Sequence, residues 1–255
     1  MGERTKIPWC DHTFNPVRGC ARVSEECRFC YAADMAMRFP GVHGTWGKDG
    51  VRVETKSWGD PLRWNRKAEH TGARVFCGSM CDVFEDHPAW AEPRKRLFEL
   101  ISRTENLTWL LLTKRPENAV GVELPPNVWL GTSAGTQKTW DRNVLHLARC
   151  SATKKFVSME PMLEPINMYL LGTFPKSLGI GYCDVWQHVD WVIVGAESGP
   201  NRRPFRREWA RSIRDQCAQV NTPFFYKQEI DGAGKKIETP PLDGVVHVAF
   251  PDDDL

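Results

Sequence analysis

The chain has 255 residues, of which 41% are hydrophobic and 26% are charged, and its formal net charge is +2. This composition is ordinary for a globular protein, and so small a charge does not by itself indicate a nucleic-acid partner. No window approaches the ~20 apolar residues that cross a bilayer, and residues 1–9 lack the basic-then-apolar pattern of a signal peptide. We therefore expect no membrane partner and a cytoplasmic location, where cysteines serve metal binding or catalysis before disulfides.

Seven short segments are predicted to be strands of a parallel sheet, because their apolar residues run on without alternation. In chain order they are residues 13–17, 74–82, 107–115, 127–133, 155–160, 190–198 and 223–228. Helical spacing of apolar residues appears between several of them, in residues 88–103, 136–150 and 207–220. The alternation predicts right-handed βαβ units in one α/β domain over residues 1–238, with residues 239–255 as a peripheral tail. Residues 40–64 and 171–187 do not fit this alternation and are predicted to be two long insertions, which we call the first and second excursions.

Polar residues follow the predicted strands, at the end of the sheet where α/β proteins place their sites. Polar strand ends also arise simply because loops begin there. Glu160 and Glu197, however, follow largely apolar strands, and a carboxylate in such a place is costly unless it pairs or binds something. Lys114 and Lys227 are the candidate partners.

Three cysteines, Cys20, Cys27 and Cys30, lie within eleven residues directly after the first predicted strand. One interpretation is that they are ordinary buried cysteines. A second is a structural zinc site with Cys10 or His12 as fourth ligand, although zinc is often held by two short cysteine pairs and only one is present. The third, which the spacing favours, is an iron–sulfur cluster held by three cysteines with one iron left open.

The loop resembles that of the radical SAM superfamily, which has three cysteines after its first strand and an aromatic residue before the third, here Phe29. The superfamily usually separates its cysteines by three and two residues, whereas this chain has six and two. The fuller pattern resembles a divergent, phage-associated group, the three-cysteine-motif or phage radical-SAM-like family. The matching segments are FNPVRGC, CRFCYA, GSMCDVFED, LLLTKRP, NVWLGTS, VSMEPML, WVIVGAESGP and PFFYKQ, which cover most of residues 9–228.

This resemblance implies a partial (β/α)6-type TIM barrel whose N-terminal loop holds a 4Fe–4S cluster on Cys20, Cys27 and Cys30. S-adenosyl-L-methionine (SAM) would chelate the open iron, and an external electron donor would reduce the cluster. Cleavage of the S–C5′ bond would then give a 5′-deoxyadenosyl radical that abstracts hydrogen from a substrate. The phage association suggests a nucleotide or a phage DNA base as substrate, the host cytoplasm as location, and a partner protein as a further expectation.

The same resemblance implies cofactor-binding positions. The superfamily often has a Gly-Gly-Glu-like turn after strand two for the methionine amino group. Gly78, Ser79 and Asp82 occupy the corresponding stretch here. Lys114 or Ser133 is the candidate for the methionine carboxylate.

A glycine in GAESG, Gly195, would let the backbone run close to adenine or ribose. Glu160, Glu197 and Lys227 are then the candidate catalytic residues, in contact with substrate. The competing hypothesis is a non-catalytic module in which zinc or a cluster ties the N-terminus to the barrel, closed by Cys10.

Three further features have two interpretations each. Cys77 is predicted to be core and Cys81 to line the site. Three tryptophans in the first excursion are predicted either to cover the cavity or to anchor the excursion: Trp46, Trp58 and Trp64. Six arginines are predicted either to form a solvated face or to contact phosphate: Arg202, Arg203, Arg206, Arg207, Arg211 and Arg214.

Overall fold

The structure is a computed structural model that describes residues 5–169 and 188–251. Its strands are β1 His12–Phe14, β2 Val17–Arg18, β3 Val53–Glu54, β4 Ala73–Cys77, β5 Leu107–Thr113, β6 Val128–Ser133, β7 Lys154–Met159, β8 Trp191–Gly195, β9 Phe224–Ile230 and β10 Lys236–Glu238. Its helices are α1 Tyr31–Arg38, α2 Pro40–His43, α3 Asp60–Lys67, α4 Ala91–Ser102, α5 Gln137–Ala148 and α6 Arg207–Gln219. The seven predicted strands and the three predicted helices are confirmed, and the predicted excursion at residues 171–187 lies outside the described residues.

One sheet of eight strands has the order β1-β4-β5-β6-β7-β8-β9-β10. All neighbours pair in parallel except β9 and β10, which are antiparallel. The order never reverses, so right-handed crossovers carry the described connecting helices α4, α5 and α6 to the same face of the sheet. In a doubly wound sheet the order reverses and both faces carry helices. The predicted partial (β/α) barrel is therefore confirmed, with one face covered by helices and the other turned inward.

The strands show no alternation of polarity because both faces of the sheet are packed. On the outer face, residues such as Trp109 and Val157 pack against helix residues such as Ile101, Trp140 and Ile213. The inner face carries a separate group of buried side chains that we call the interior cluster: Trp9, Phe76, Leu110, Trp129, Phe156, Trp191, Ile193 and Phe225.

Trp191 lies at the centre of the interior cluster. Its ring centroid is 5.7 Å from that of Phe156, 5.9 Å from that of Phe225 and 5.1 Å from that of Phe250. The Trp191 Nε1 donates a hydrogen bond of 2.8 Å to the Ala249 carbonyl. Ala249 and Phe250, in the segment that the sequence pattern predicts to be a peripheral tail, therefore contact the interior cluster, whereas Val245, Val246 and Val248 are exposed. Residues 252–255 lie outside the described part of the chain.

The first excursion contains α2, β3 and the start of α3, none of which the apolar pattern predicted. Strand β3 pairs with β2, just ahead of the cysteines. Trp58 and Trp64 are buried, and the Trp64 ring stacks on His12 at 4.4 Å, so these two tryptophans anchor the excursion. Trp46 instead lines the cavity described next.

Candidate active site

A cavity of about 410 Å³ lies at the carboxyl ends of the parallel strands. Inner-face residues Phe76, Leu112 and Ser158 form part of its wall, and the top of the interior cluster closes it below. Because the carboxyl ends of all parallel strands meet at one edge, side chains far apart in the chain converge there. The cavity is therefore built from the polar strand ends that the sequence analysis singled out.

Cys20, Cys27 and Cys30 all line this cavity. Cys27 ends a short 3-10 turn, Glu25–Cys27, and Cys30 directly precedes α1. Cys20 and Cys30 are half-buried, Cys27 is buried, and all three are free thiols. Burial raises the pKa of the Cys20 thiol to about 12, so a positive charge or a metal is needed to keep a thiolate there.

Among the described residues, no group of three or more His, Cys, Asp or Glu side chains is arranged to hold a metal ion. A single zinc ion would bring its sulfur ligands to roughly 3.8 Å of one another, because Zn–S bonds are about 2.3 Å long. In a 4Fe–4S cluster each cysteine binds a different iron, so the sulfurs stand farther apart. The three thiols therefore line one cavity without the convergence on one point that a single zinc ion needs.

Neither candidate for a fourth zinc ligand reaches the cavity. Cys10 packs against the interior cluster, its thiol lies 4.0 Å from the Ile7 carbonyl oxygen, and burial raises its pKa to about 12. His12 is stacked on Trp64. The closing ligands that the zinc hypothesis named, Cys10 and His12, are therefore not part of the cavity wall.

A buried arginine, Arg115, lies behind Cys20. Its Nη1 is 3.9 Å from the Cys20 sulfur and 2.8 Å from Asp82 Oδ2, and its Nη2 donates to the Ala21 carbonyl at 2.9 Å. Burial opposes the charge of Arg115, but Asp82 and Cys20 together raise its pKa above the ordinary value. The guanidinium therefore stays charged beside the sulfur.

Both oxygens of the Asp82 carboxylate are occupied by the protein. Oδ1 accepts from the Thr113 hydroxyl at 2.7 Å, and Oδ2 accepts from the Lys114 N–H at 3.0 Å as well as from Arg115. Asp82 lines the cavity, as predicted, but these contacts make it a residue that holds the ends of β4 and β5 together. Its predicted role in binding the methionine amino group stays a prediction.

A second buried ion pair, between Arg52 and Glu85, contacts the cysteine loop next to Cys20. Arg52 Nε and Nη2 lie 2.7 Å from the two oxygens of Glu85, and Glu85 Oε1 accepts from the Ala21 N–H at 2.8 Å. Arg52 also donates to the carbonyls of Gly47 and Gly50. This pair fastens residues 45–52 of the first excursion to the chain next to Cys20.

Glu26 fastens the loop on the other side. Its Oε1 accepts from the Gly135 N–H at 2.7 Å and from the Thr139 hydroxyl at 2.5 Å, beside the N-terminus of α5. Burial acts to raise the pKa of Glu26, but hydrogen bonds from Ser24, Thr139 and the backbone outweigh it and lower the pKa. A Cβ at Gly135 would lie 2.7 Å from Glu26 Cγ, so glycine is required for this approach.

The turn after β4 begins at Gly78, whose φ of +103° suits glycine. The Ser79 hydroxyl accepts from Asn15 Nδ2 at 2.8 Å, and the Tyr31 hydroxyl donates to the Ser79 carbonyl at 2.9 Å. Asn15 Oδ1 also accepts from the Met80 N–H at 2.8 Å. Gly78 and Ser79 line the cavity.

Lys114 lines the cavity and its Nζ is 2.9 Å from the Ser133 hydroxyl. It forms no ion pair with a carboxylate among the described residues. Ser133 itself is buried beneath it, outside the cavity wall. Lys114 is therefore not the partner of a strand-end glutamate, and its charge faces the cavity.

Glu160 and Lys227 form an ion pair across the cavity wall, with Lys227 Nζ at 2.8 Å from Glu160 Oε1. The Ser158 hydroxyl is 3.2 Å from the other oxygen. A Cβ on Gly195 would lie 2.7 Å from Glu160 Oε1. Gly195 thus makes room for this carboxylate and is not part of the cavity wall, whereas the predicted pairing of Glu160 with Lys227 is confirmed.

Glu197 pairs with Arg203 and with neither predicted lysine. Arg203 Nε is 2.8 Å from Glu197 Oε2, and its Nη1 is 3.0 Å from Glu25 Oε1 on the cysteine loop. The Arg203 guanidinium also lies 5.3 Å from the Phe29 ring. Arg203 therefore links the loop after β8 to the cysteine loop.

The arginine run is mostly engaged with acidic partners. Arg207 pairs with Glu229 at 3.0 Å, while Arg211 and Arg214 both pair with Asp243. Such pairs leave less charge for phosphate than the sequence alone suggests, and phosphate contact stays a prediction.

Aromatic and thiol groups complete the wall. Phe29, Tyr31 and Trp46 line the cavity, and so does Cys81. Cys77 is fully buried outside it, so the predicted division between a core cysteine and a lining cysteine is confirmed.

A family model described as "Protein of unknown function (DUF5131)" matches residues 4–251. The chain belongs to this family. A solved structure of a spore photoproduct lyase mutant, with bound AdoMet and a dinucleoside spore photoproduct, is similar to this chain with a TM-score of 0.47 and 11% identity. That similarity covers 89% of this chain and 67% of the lyase chain. A comparison with curated proteins found no match.

The sequence analysis did not single out Glu26 or Asn15 of this DUF5131 site, and it assigned Arg115 and Arg203 no contact with the cysteine loop. Two of them carried a readable signal, since Arg115 follows β5 next to Lys114 and Glu26 lies beside Cys27. Asn15 and Arg203 act through partners 64 and 178 residues away, which no local pattern reports. Among the described residues, no helix has the length and apolar character needed to cross a bilayer.

Proposed function

We propose that this DUF5131 protein is a radical SAM enzyme whose cluster is held by Cys20, Cys27 and Cys30. The observation that carries the proposal is that these three thiols share one cavity with the strand ends, whereas Cys10 and His12 do not reach it. A structural zinc site needs a closed fourth position, and a catalytic cluster needs an open one. When bound, the cluster and SAM would supply reductive cleavage of the S–C5′ bond.

The residues of the cavity would bind and orient SAM. Lys114 would hold the methionine carboxylate, because its charge faces the cavity without an acidic partner among the described residues. Ser133 would orient the Lys114 ammonium group from below. Gly78 and Ser79 would lie along the methionine amino group, while Asp82 keeps the turn in place through its contacts with Thr113.

Two acidic groups and one lysine would act on the substrate side. Glu160 and Lys227 form a coupled pair that could hold or pass a proton at the Glu160 oxygens. Glu197, which lines the cavity, would act mainly by holding Arg203 against the cysteine loop. The interior cluster below keeps water from entering through the bottom of the barrel.

The substrate would be a nucleotide or a nucleic-acid base. Trp46 gives the cavity an aromatic face on which a base can stack. Arg28 and Arg203, which lie over the Phe29 ring at 5.2 and 5.3 Å, add positive charge beside the cavity-lining Phe29. An external electron donor would be required, and a partner protein could supply it in the cytoplasm.

The test is anaerobic reconstitution with iron and sulfide, followed by reduction with dithionite in the presence of SAM. We expect a brown protein that releases 5′-deoxyadenosine. Alanine at Cys20, Cys27 or Cys30 should abolish bound iron, whereas the matched variant Cys10→Ala should retain it. A colourless protein that carries zinc without iron, or loss of metal in Cys10→Ala, would instead establish the structural module.

A further inference from the structure

The three candidate cluster ligands have different surroundings. The Cys20 sulfur is 3.9 Å from the charged guanidinium of Arg115, and the Cys27 sulfur is 3.7 Å from the neutral hydroxyl of Ser24. No side-chain hydrogen bond to the Cys30 sulfur is found within the described ranges, 5–169 and 188–251. Among the described residues, Cys20 is thus the one of the three whose sulfur has a hydrogen-bond contact with a cationic side chain.

Arg115 cannot easily leave this position. It is buried, and it donates to the Ala21 carbonyl at 2.9 Å, next to Cys20 in the chain. Asp82 Oδ2 lies 2.8 Å from the same Nη1 that faces the Cys20 sulfur, and Glu85 lies 3.6 Å from Nη2. The guanidinium is thus fixed between the Cys20 sulfur and the two carboxylates, with Nη1 in contact with both Cys20 and Asp82.

A cation close to a cluster ligand stabilises the reduced state, which carries one more negative charge than the oxidised state. Hydrogen bonds to the cysteine sulfurs and local charge are among the features by which proteins set cluster potentials. The effect is stronger in a buried site, where the dielectric screening is weak. Asp82 acts in the opposite direction, because its negative charge disfavours added electrons.

We propose that Arg115 is a positioning residue that holds the Cys20 thiolate and raises the reduction potential of the cluster, with Asp82 opposing it. This inference rests on the proposed function only in requiring that the cluster forms. It predicts a charge-dependent potential, whether or not SAM is cleaved.

The test is an anaerobic redox titration of the reconstituted full-length protein, followed by electron paramagnetic resonance of the reduced cluster. Arg115→Gln should lower the equilibrium constant for one-electron reduction at least about tenfold, which is about 59 mV. Asp82→Asn keeps an acceptor for Arg115 but removes the charge, and it should shift the potential upward. If the substitutions merely loosened the site, the reduction potentials of both variants would shift in the same direction. A charge effect shifts the two potentials in opposite directions.

Two matched variants complete the design. Arg115→Lys keeps the charge and should recover part of the wild-type potential, and Ser24→Ala at Cys27 should change it much less than Arg115→Gln. If Arg115→Gln does not assemble a cluster, the reduction potentials of Asp82→Asn and Arg115→Lys still test the direction of the charge effect. Unchanged potentials, or shifts of one sign, would overturn the inference. A wild-type protein without a cluster would overturn both proposals, whereas opposite shifts without SAM cleavage would leave this one standing.

Discussion

The two ends of the barrel interior differ in how their side chains are used. The interior cluster consists of aromatic and aliphatic groups packed on one another around Trp191. The cavity above it is lined by thiols, carboxylates and lysines, most of which are held by a partner from another element. Burial of apolar area stabilises the first region, and the second is kept in shape by hydrogen bonds and ion pairs, which contribute little net stability. Mutations in the interior cluster should therefore mainly lower the free energy of unfolding, whereas mutations in the cavity wall should mainly affect binding and catalysis.

The largest effect is expected for Trp191→Ala. Removal of a fully buried indole from the centre of the interior cluster leaves a cavity and an unpaired Ala249 carbonyl, so the free energy of unfolding should fall by about 3–5 kcal/mol. Urea denaturation followed by circular dichroism measures this. Trp191→Phe should lose less, because it retains most of the ring contacts. A loss below ~1 kcal/mol for the alanine variant would show that the cluster is not the stabilising region.

Gly131→Ala should come next. A Cβ at Gly131 would fall well inside van der Waals contact with the Phe156 ring, which is itself buried against Trp191. Overpacking of this kind costs about 1–3 kcal/mol of unfolding free energy. The matched control is Gly59→Ala, where nothing lies within 4 Å of the new Cβ. Equal midpoints for the two variants would contradict the prediction.

The pH dependence of stability should include a small contribution from His247, whose ring lies 5.5 Å from that of Phe224. Burial, together with Arg214, lowers its pKa below the ordinary 6.5. The folded protein thus binds fewer protons than the unfolded chain, so its contribution is present above the unfolded pKa and lost as the pH falls through the folded pKa. We expect the free energy of unfolding to decline by ~0.5 kcal/mol or less below about pH 6.5, since the ring is only partly buried.

Replacing His247 with Gln should flatten this decline, and denaturant titrations of both proteins at several pH values measure the difference. A steeper decline in the variant would show that protonation of His247 does not oppose folding.

The smallest effect on stability is expected for Trp46→Ala. Trp46 is only half-buried and belongs to the cavity wall and not to the packed core, so the free energy of unfolding should change by less than ~0.5 kcal/mol. Release of 5′-deoxyadenosine by the reconstituted protein should nevertheless fall, since one wall of the binding cavity is removed. A large loss of stability would place Trp46 with the anchoring residues Trp58 and Trp64.

The seven parallel strands of the main sheet, their chain order and the position of Cys20, Cys27 and Cys30 at the cavity were predictable from the sequence. Unbroken apolar runs such as residues 107–112 form buried strands because hydrophobic pattern and strand propensity act locally. The spacing of Cys20, Cys27 and Cys30 and the polar strand ends are equally local features. The parallel topology then brings those ends to one edge, so their meeting also followed from the sequence.

Only the tertiary structure decided which of these polar groups pair with the protein and which face the cavity. Asp82 and Glu197 are satisfied by Arg115 and Arg203, whereas Lys114 has no acidic partner among the described residues. Likewise, a strand that is apolar on both faces does not show which face turns toward the barrel interior. The residues of the interior cluster could therefore not be distinguished from those of the outer core by sequence. Both outcomes depend on distances between residues remote in the chain, and no local pattern encodes such distances.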